Sequence, residues 1–330
     1  MVGQLKVFYP YLYDDNINLR SLNASSYVNR QGLSMTMHVG VIGLGAMGSG
    51  MAKSLRRKGF NVHVFDLRPS VAEAFTQEGG RLCASAAELA ANCDVVVSVV
   101  VNAIQTEQVL FGNEGCLNAM RSGTVFVMCS TVSPEWSARM EERLAEKGVH
   151  YIDAPISGGA AKAELGEITM MTSAKPEAYA SVWPVLNAMA SNVYQLGDRA
   201  GAGSKVKIIN QLLAGVHIAA AAEAMALGLR EGVNPEELYE VITHSAGNSW
   251  MFENRMQHVL AADYTPLSSV DIFVKDLGLV LDLARSSKFP LPLTSTAHQM
   301  FMQASTAGFA ADDDSAVIKI FPGINLPLKK

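Results

Sequence analysis

Two stretches and one isolated carboxylate in this sequence have residue types and spacings that could do chemistry. In "GAGSKVKIINQ", Gly201 to Gln211, a helix would set Lys207, Asn210 and Gln211 on adjoining faces, because positions three and four apart are neighbours. An amine in a dry cleft loses proton affinity, since burial disfavours its charged form. It can then take a proton from a hydroxyl or return one. On spacing alone, Lys205 and Lys207 are equal candidates. In "HVGVIGLGAMGSGMAKSLRRKG", His38 to Gly59, an apolar strand breaks into Gly43-Leu44-Gly45-Ala46-Met47-Gly48 and resumes as a helix. Gly43 permits the tight turn, Gly45 lets the backbone approach a pyrophosphate, and Gly48 lets helix and strand pack closely. The free amides of the helix start favour an anion. Asp66 closes a second strand about 20 residues on, where a carboxylate accepts both ribose hydroxyls and repels a 2′-phosphate. The pattern therefore points to NAD, with NADP less favoured. Arg68, two residues later, reads as a solvated charge.

The elements that must carry these groups follow from hydrophobic patterning. After "HVGVIG" come "NVHVFD", "DVVVSVVV" and "GTVFVMCST", the last two being continuous apolar runs suited to strands covered on both faces. "VHYIDAPIS", "EITMMTSA" and "SNVYQLG" supply later strands. Between them, "SPEWSARMEERLAEKG" has Ser133 as N-cap, Pro134 at the first helical position and Gly148 as the stop. Alternation of this kind predicts an α/β fold, a Rossmann-type doubly wound sheet over residues 38–199. From Gly201 the strand-like runs vanish, and residues 200–330 read as an all-α domain with a long helix from about Ser204 to Glu231. Residues 1–37 read as an N-terminal extension without a catalytic part.

Composition narrows the classes further. The chain has 330 residues, 49% of them hydrophobic, and a net charge of −5 with no basic tract, which argues against a nucleic-acid partner. Four cysteines without a CxxC pair fit a reducing compartment, the cytoplasm. Seven histidines form no HExxH-type pair, so no metal is expected. The apolar run Leu212 to Leu229 has nearly the length of a membrane span, but it carries His217 and Glu223, both costly in hydrocarbon. A helix buried between domains or subunits is the expectation, with those two side chains in buried hydrogen bonds, no membrane partner, and a homo-oligomer.

Four motifs taken together resemble the β-hydroxyacid dehydrogenase family: "GLGAMGSGMAKSL", "DAPISGGAAKAELG", "GAGSKVKIINQ" and "FVKDLGLVLDLA". The resemblance implies hydride transfer between NAD and a small hydroxy acid. It singles out Lys207 as the proton carrier and Asn210 as its assistant, with Gln211 standing where some relatives carry asparagine. Ser157, Gly158 and Gly159 match the segment that holds the substrate's carboxylate and hydroxyls, and Thr131 lies beside it. Asn102 and Thr131 also follow strands at the sheet's carboxyl ends, where the resemblance places the cofactor ring and ribose, and Lys275 matches a lysine reaching the cofactor from the helical half. The stretches "THSAGNSWMFENR" and "DDDSAVIKIF" point within the family to a four-carbon sugar acid. Asn248 and Ser249 would face its hydroxyls, while Trp250, Met251 and Phe252 would pack the core. A branched hydroxyisobutyrate-type acid and tartronate semialdehyde are the substrate alternatives. A dinucleotide-binding sensor, which has no use for Lys207, is the non-enzyme alternative.

Overall fold

The structure, a computed structural model, describes residues 26–28, 34–77 and 79–329. Most of the expected extension thus lies outside the described residues; its described parts, β1 (Ser26–Val28) and β2 (Ser34–Thr36), pair antiparallel. The main sheet contains β3 (His38–Ile42), β4 (Asn61–Phe65), β5 (Arg81–Leu82), β6 (Val95–Ser98), β7 (Val125–Met128) and β8 (His150–Asp153). They lie in the order β5-β4-β3-β6-β7-β8, every pairing parallel. The order reverses between β3 and β6, and a crevice opens beyond the strand ends at such a reversal. β6 and β7 are buried at every position, as continuous apolar runs require.

The strands are shorter than the apolar runs. Val99 and Cys129 make the last cross-strand bonds, and the stretches Val99–Val101 and Cys129–Thr131 form the rim of the crevice. β5 was not legible, because two exposed residues carry no alternation.

The connecting helices are α1 (Ala46–Arg57), α2 (Pro69–Thr76), α3 (Ala86–Ala91), α4 (Ala103–Phe111) and α5 (Pro134–Ala145). Beyond β8 come β9 (Ile156–Ser157), α6 (Gly159–Leu165), β10 (Ile168–Thr172), α7 (Pro176–Met189) and β11 (Ala190–Gln195). The last three strands form a small sheet in which β10 runs antiparallel to β9 and parallel to β11.

The second half is helical: α8 (Ala202–Arg230), α9 (Pro235–Thr243), α10 (Trp250–Ala261), α11 (Val270–Ser287) and α12 (Pro292–Ala304). A short 3-10 helix, Asp314–Ile320, ends it with Ala316, Val317 and Ile318 in the core. α8 is the one described helix long and apolar enough to cross a membrane, and it packs instead against α10, α11 and α12. His217 and Glu223 do not make buried hydrogen bonds: both sit on the open face of α8. That face also exposes Val206, Ile209, Leu213 and Leu227, an apolar stripe at helical spacing. All four cysteines are buried free thiols.

Asp153, at the end of β8, joins the halves. Its carboxylate accepts the backbone N–H of Gly201 and Ser204 at 2.9 and 2.8 Å, and the Ser204 hydroxyl at 2.6 Å. Those groups begin α8, whose N-cap Gly201 offers no side chain of its own. Burial raises the pKa of Asp153 against the pull of these donors.

Candidate active site

A cleft of about 370 Å³ runs between the halves, along the strand ends of the main sheet. The glycine turn forms one wall. Gly43 has φ +92°, a conformation costly for any side chain, and donates its N–H to Phe65 O at 2.9 Å. A Cβ on Gly48 would lie 1.9 Å from the Gly43 carbonyl oxygen, so this glycine is required by packing. A Cβ on Gly45 would meet no protein atom within 4 Å. Packing makes no demand there, so the open space above Gly45 is room for something else. Ala46 and Met47 line the same wall, and α1 begins without a side-chain cap.

Asp66 stands just beyond β4, as its spacing implied. It accepts the Leu44 N–H at 2.7 Å and is gripped by Arg68 through Nε at 3.0 Å and Nη2 at 3.1 Å. Partial burial works the other way, yet Arg68 and the backbone donors hold its carboxyl below the ordinary value. Arg68 is exposed, as a solvated charge would be, and is also the partner of Asp66.

The opposite wall carries the lysine. Lys207 and Lys205, equal by spacing, part company here: Lys205 is exposed, and Lys207 is 6% exposed with its side chain at the cleft. Lys207 Nζ donates to Gln211 Oε1 at 2.7 Å, and Asn210 Nδ2 donates to the same oxygen at 3.0 Å. Gln211 Nε2 donates to Asp276 Oδ2 at 2.6 Å, and the other oxygen of Asp276 pairs with Lys275 Nζ at 2.5 Å. Lys275 also reaches the Thr131 carbonyl at 3.3 Å, bridging to the first half. Burial lowers the Lys207 pKa to about 8, with Asp276 pulling it up and Lys275 pushing it down. Asp276 as a partner of Lys275 is legible from their adjacency, but its link to Lys207 through Gln211 was not read from the sequence.

Ser157, Gly158 and Gly159 line the cleft between the two walls, and Thr131 does so from the strand ends. Asn102 is committed elsewhere: its Oδ1 accepts the Gln105 N–H at 2.9 Å and caps α4. Asn248 does not reach the cleft either, for its amide donates to the Thr243 carbonyl at 3.1 Å. Ser249 caps α10 through the Phe252 N–H. Of the three residues expected in the core, Phe252 is buried and Met251 is partly buried against that core while also lining the cleft; Trp250, half exposed, lines the cleft. Ser249 is taken up by the helix start, while Asn248 bonds the end of α9 through its amide and keeps a buried Oδ1 without a partner among the described residues. Among the described residues no group of three His, Cys, Asp or Glu side chains is placed to hold a metal.

Residues 38–197 match the family described as the NAD binding domain of 6-phosphogluconate dehydrogenase. Residues 201–321 match the NAD-binding domain of NADP-dependent 3-hydroxyisobutyrate dehydrogenase. An L-threonate dehydrogenase of Cupriavidus necator is 66% identical over 295 residues, covering 89% of this chain and 99% of its own length. The chain belongs to the β-hydroxyacid dehydrogenase family. An L-threonate dehydrogenase of Escherichia coli (strain K12) is 50% identical, covering 88% of this chain and 96% of its own. The crystal structure of a 3-hydroxyisobutyrate dehydrogenase from Salmonella typhimurium matches with TM-score 0.84 and 53% identity, over 86% of this chain and all of that one.

Membership of the β-hydroxyacid dehydrogenase family makes the protein an oxidoreductase acting on the CH–OH group of a small hydroxy acid, with NAD as cofactor. The residues present fit that cofactor: the space above Gly45, the uncapped start of α1 and the carboxylate of Asp66 are what a dinucleotide needs.

Proposed function

We propose that the protein oxidises L-threonate at the carbon next to the carboxylate, giving 2-oxo-tetronate (2-dehydro-L-erythronate), with Lys207 as general base. The observation that carries the chemistry is the buried Lys207 amine on the cleft, with a pKa of about 8. At neutral to mildly alkaline pH an appreciable fraction of it is neutral and can accept a proton. The substrate assignment rests on the relatives named L-threonate dehydrogenase, at 50 and 66% identity.

In this reading Ser157, Gly158 and Gly159 receive the substrate's carboxylate, which brings the adjacent hydroxyl toward Lys207. Lys207 takes the hydroxyl proton as the C–H bond of the same carbon breaks. NAD, when bound, accepts the hydride released there. Asn210 orients the hydroxyl, and Gln211 Oε1 holds Nζ in place. Gly43 to Gly48 cradle the pyrophosphate, Asp66 takes the ribose hydroxyls, and Lys275 and Thr131 flank the cofactor from either half. Asn102 stands near that site but acts as a helix cap. The carboxylate of Asp66 at this position, which repels a 2′-phosphate, supports NAD over NADP.

A homo-oligomer is part of the proposal, with the exposed stripe of α8 as its contact face, and the four buried thiols suit the cytoplasm. A second reading, 3-hydroxyisobutyrate oxidation, is favoured by the name of the Salmonella structure.

Turnover on four-carbon sugar acids and on 3-hydroxyisobutyrate, each with NAD and with NADP, separates these readings. L-Threonate with NAD is expected to give the highest kcat/KM; rapid NADH formation with 3-hydroxyisobutyrate and none with threonate would overturn the assignment. Lys207→Ala should lower kcat by ~10²–10⁴-fold while NAD binding is retained.

A further inference from the structure

We infer that Asn254 is the specificity-determining residue of this site: its amide N–H groups donate to a hydroxyl of the substrate beyond the reacting carbon. The inference rests on the sugar-acid reading above. Asn254 lies on α10, one turn after Trp250, and lines the helical wall of the cleft. Met251, Leu267 and Phe273 line the same wall, together with the polar groups of Asn210, Gln211 and Ser268.

The amide is held in one orientation. Arg255 is 8% exposed, and its Nε and Nη2 donate to the two oxygens of the fully buried Asp314 at 2.5 and 3.0 Å. The remaining terminal nitrogen, Nη1, donates to Asn254 Oδ1. A guanidinium has donors only, so the atom facing it must be the amide oxygen. The Nδ2 group is thereby turned away with two N–H donors, and no described residue accepts from it. Donors fixed by a buried ion pair and left without a partner on a cleft wall suit an oxygen that arrives with the ligand.

The wall around it is tied to the same acidic segment. Asp314 N–H donates to Ser268 O at 2.8 Å, and Asp313 Oδ2 accepts the Leu267 N–H at 3.2 Å. The two stretches that pointed to a polyhydroxylated acid, one around Asn254 and one around Asp314, are thus a single construction separated by 59 residues between its charged members. A methyl group in place of the hydroxyl would leave both N–H groups unpaired, and a site built to bond a hydroxyl rejects such an analogue.

The test is steady-state kinetics of wild type, Asn254→Leu and Asn254→Asp with NAD on L-threonate and on 3-hydroxyisobutyrate, beside thermal melts. Asn254→Leu should lower kcat/KM for threonate between about fivefold and about 150-fold, the loss expected when a buried hydrogen bond is removed. The value for 3-hydroxyisobutyrate should hold or rise. Asn254→Asp keeps the size and removes the donors, so it should lose on threonate as the leucine variant does. An equal fall on both substrates, or wild-type kinetics with threonate in either variant, overturns the inference while leaving threonate oxidation standing. A wild-type enzyme inactive on every four-carbon sugar acid overturns both.

Discussion

Burial lowers the proton affinity of Lys207 and a carboxylate it does not touch, Asp276, opposes that, so removing this charge should move the acid limb of the pH–rate profile. Lys207 Nζ lies 2.7 Å from Gln211 Oε1, and Gln211 Nε2 lies 2.6 Å from Asp276 Oδ2. Across the intervening amide the amine and carboxylate are at most about 7.5 Å apart, which at an effective dielectric of ~20 is worth roughly 2 kcal/mol, or ~1.5 pKa units. Asp276 pulls the pKa up, while burial and Lys275 push it down. Asp276→Asn removes the upward pull and leaves the downward ones, so the neutral amine should persist to lower pH. In oxidation the base must be neutral, and kcat/KM rises as pH passes through its pKa. The limb should therefore move from about 8 in the wild type to ~6.5 in the variant. The plateau above it should fall modestly, since a less basic amine is a poorer base. The assay is kcat/KM for L-threonate at saturating NAD from about pH 5.5 to about pH 10, with Asp282→Asn, an exposed change on the same helix, as the control. A limb that stays near 8 in Asp276→Asn, or moves up, would refute Lys207 as the titrating base.

Gly45→Val should raise the NAD dissociation constant at least about tenfold, equivalent to ~1.4 kcal/mol, without changing the melting temperature, because the new side chain enters empty space. Gly48→Ala should instead destabilise the fold by ~1–3 kcal/mol, since its Cβ would collide with the Gly43 carbonyl; calorimetry and denaturant titration distinguish the two. Leu213→Glu, on the exposed stripe of α8, should shift the molecular mass measured by light scattering toward the monomer, and an unchanged mass would exclude that face as the contact.

Local signals in the sequence were enough for the glycine turn, the parallel strands and the capped helices, because each is set by residues within a few positions of one another. Asn234, for example, caps α9 through the Glu237 N–H, as its place before Pro235 implies. Choosing Lys207 over Lys205 needed the tertiary fold or the family resemblance, since the two differ in burial and not in spacing. The long-range pairs were invisible: Arg255 with Asp314, Gln211 with Asp276, and Asp153 with the start of α8. No periodicity links such partners, and each member alone reads as an ordinary polar residue. Asn248 misled for the opposite reason. A polar residue beside a helix start is as well suited to backbone bonding as to a ligand, and here the backbone took it.

Neither half could do the proposed chemistry alone. The titratable side chain that the first half contributes to the cleft is the Cys129 thiol, whose pKa burial raises far above neutrality, so it stays protonated and inert. A proton carrier must therefore come from the helical half, and its placement depends on the sheet that lacks one. Asp153 ends β8 and binds the first turn of α8, so the register of that helix, and with it the position of Lys207 three residues after Ser204, is set by a strand of the dinucleotide domain. Lys275 returns the tie by reaching the Thr131 carbonyl from α11. The helix that carries the amine is thus anchored by the first half, and the amine's proton affinity is lowered by burial and adjusted by Asp276 and Lys275 of the second. The two halves are tied by the Asp153 carboxylate at the start of α8 and by Lys275 at the Thr131 carbonyl.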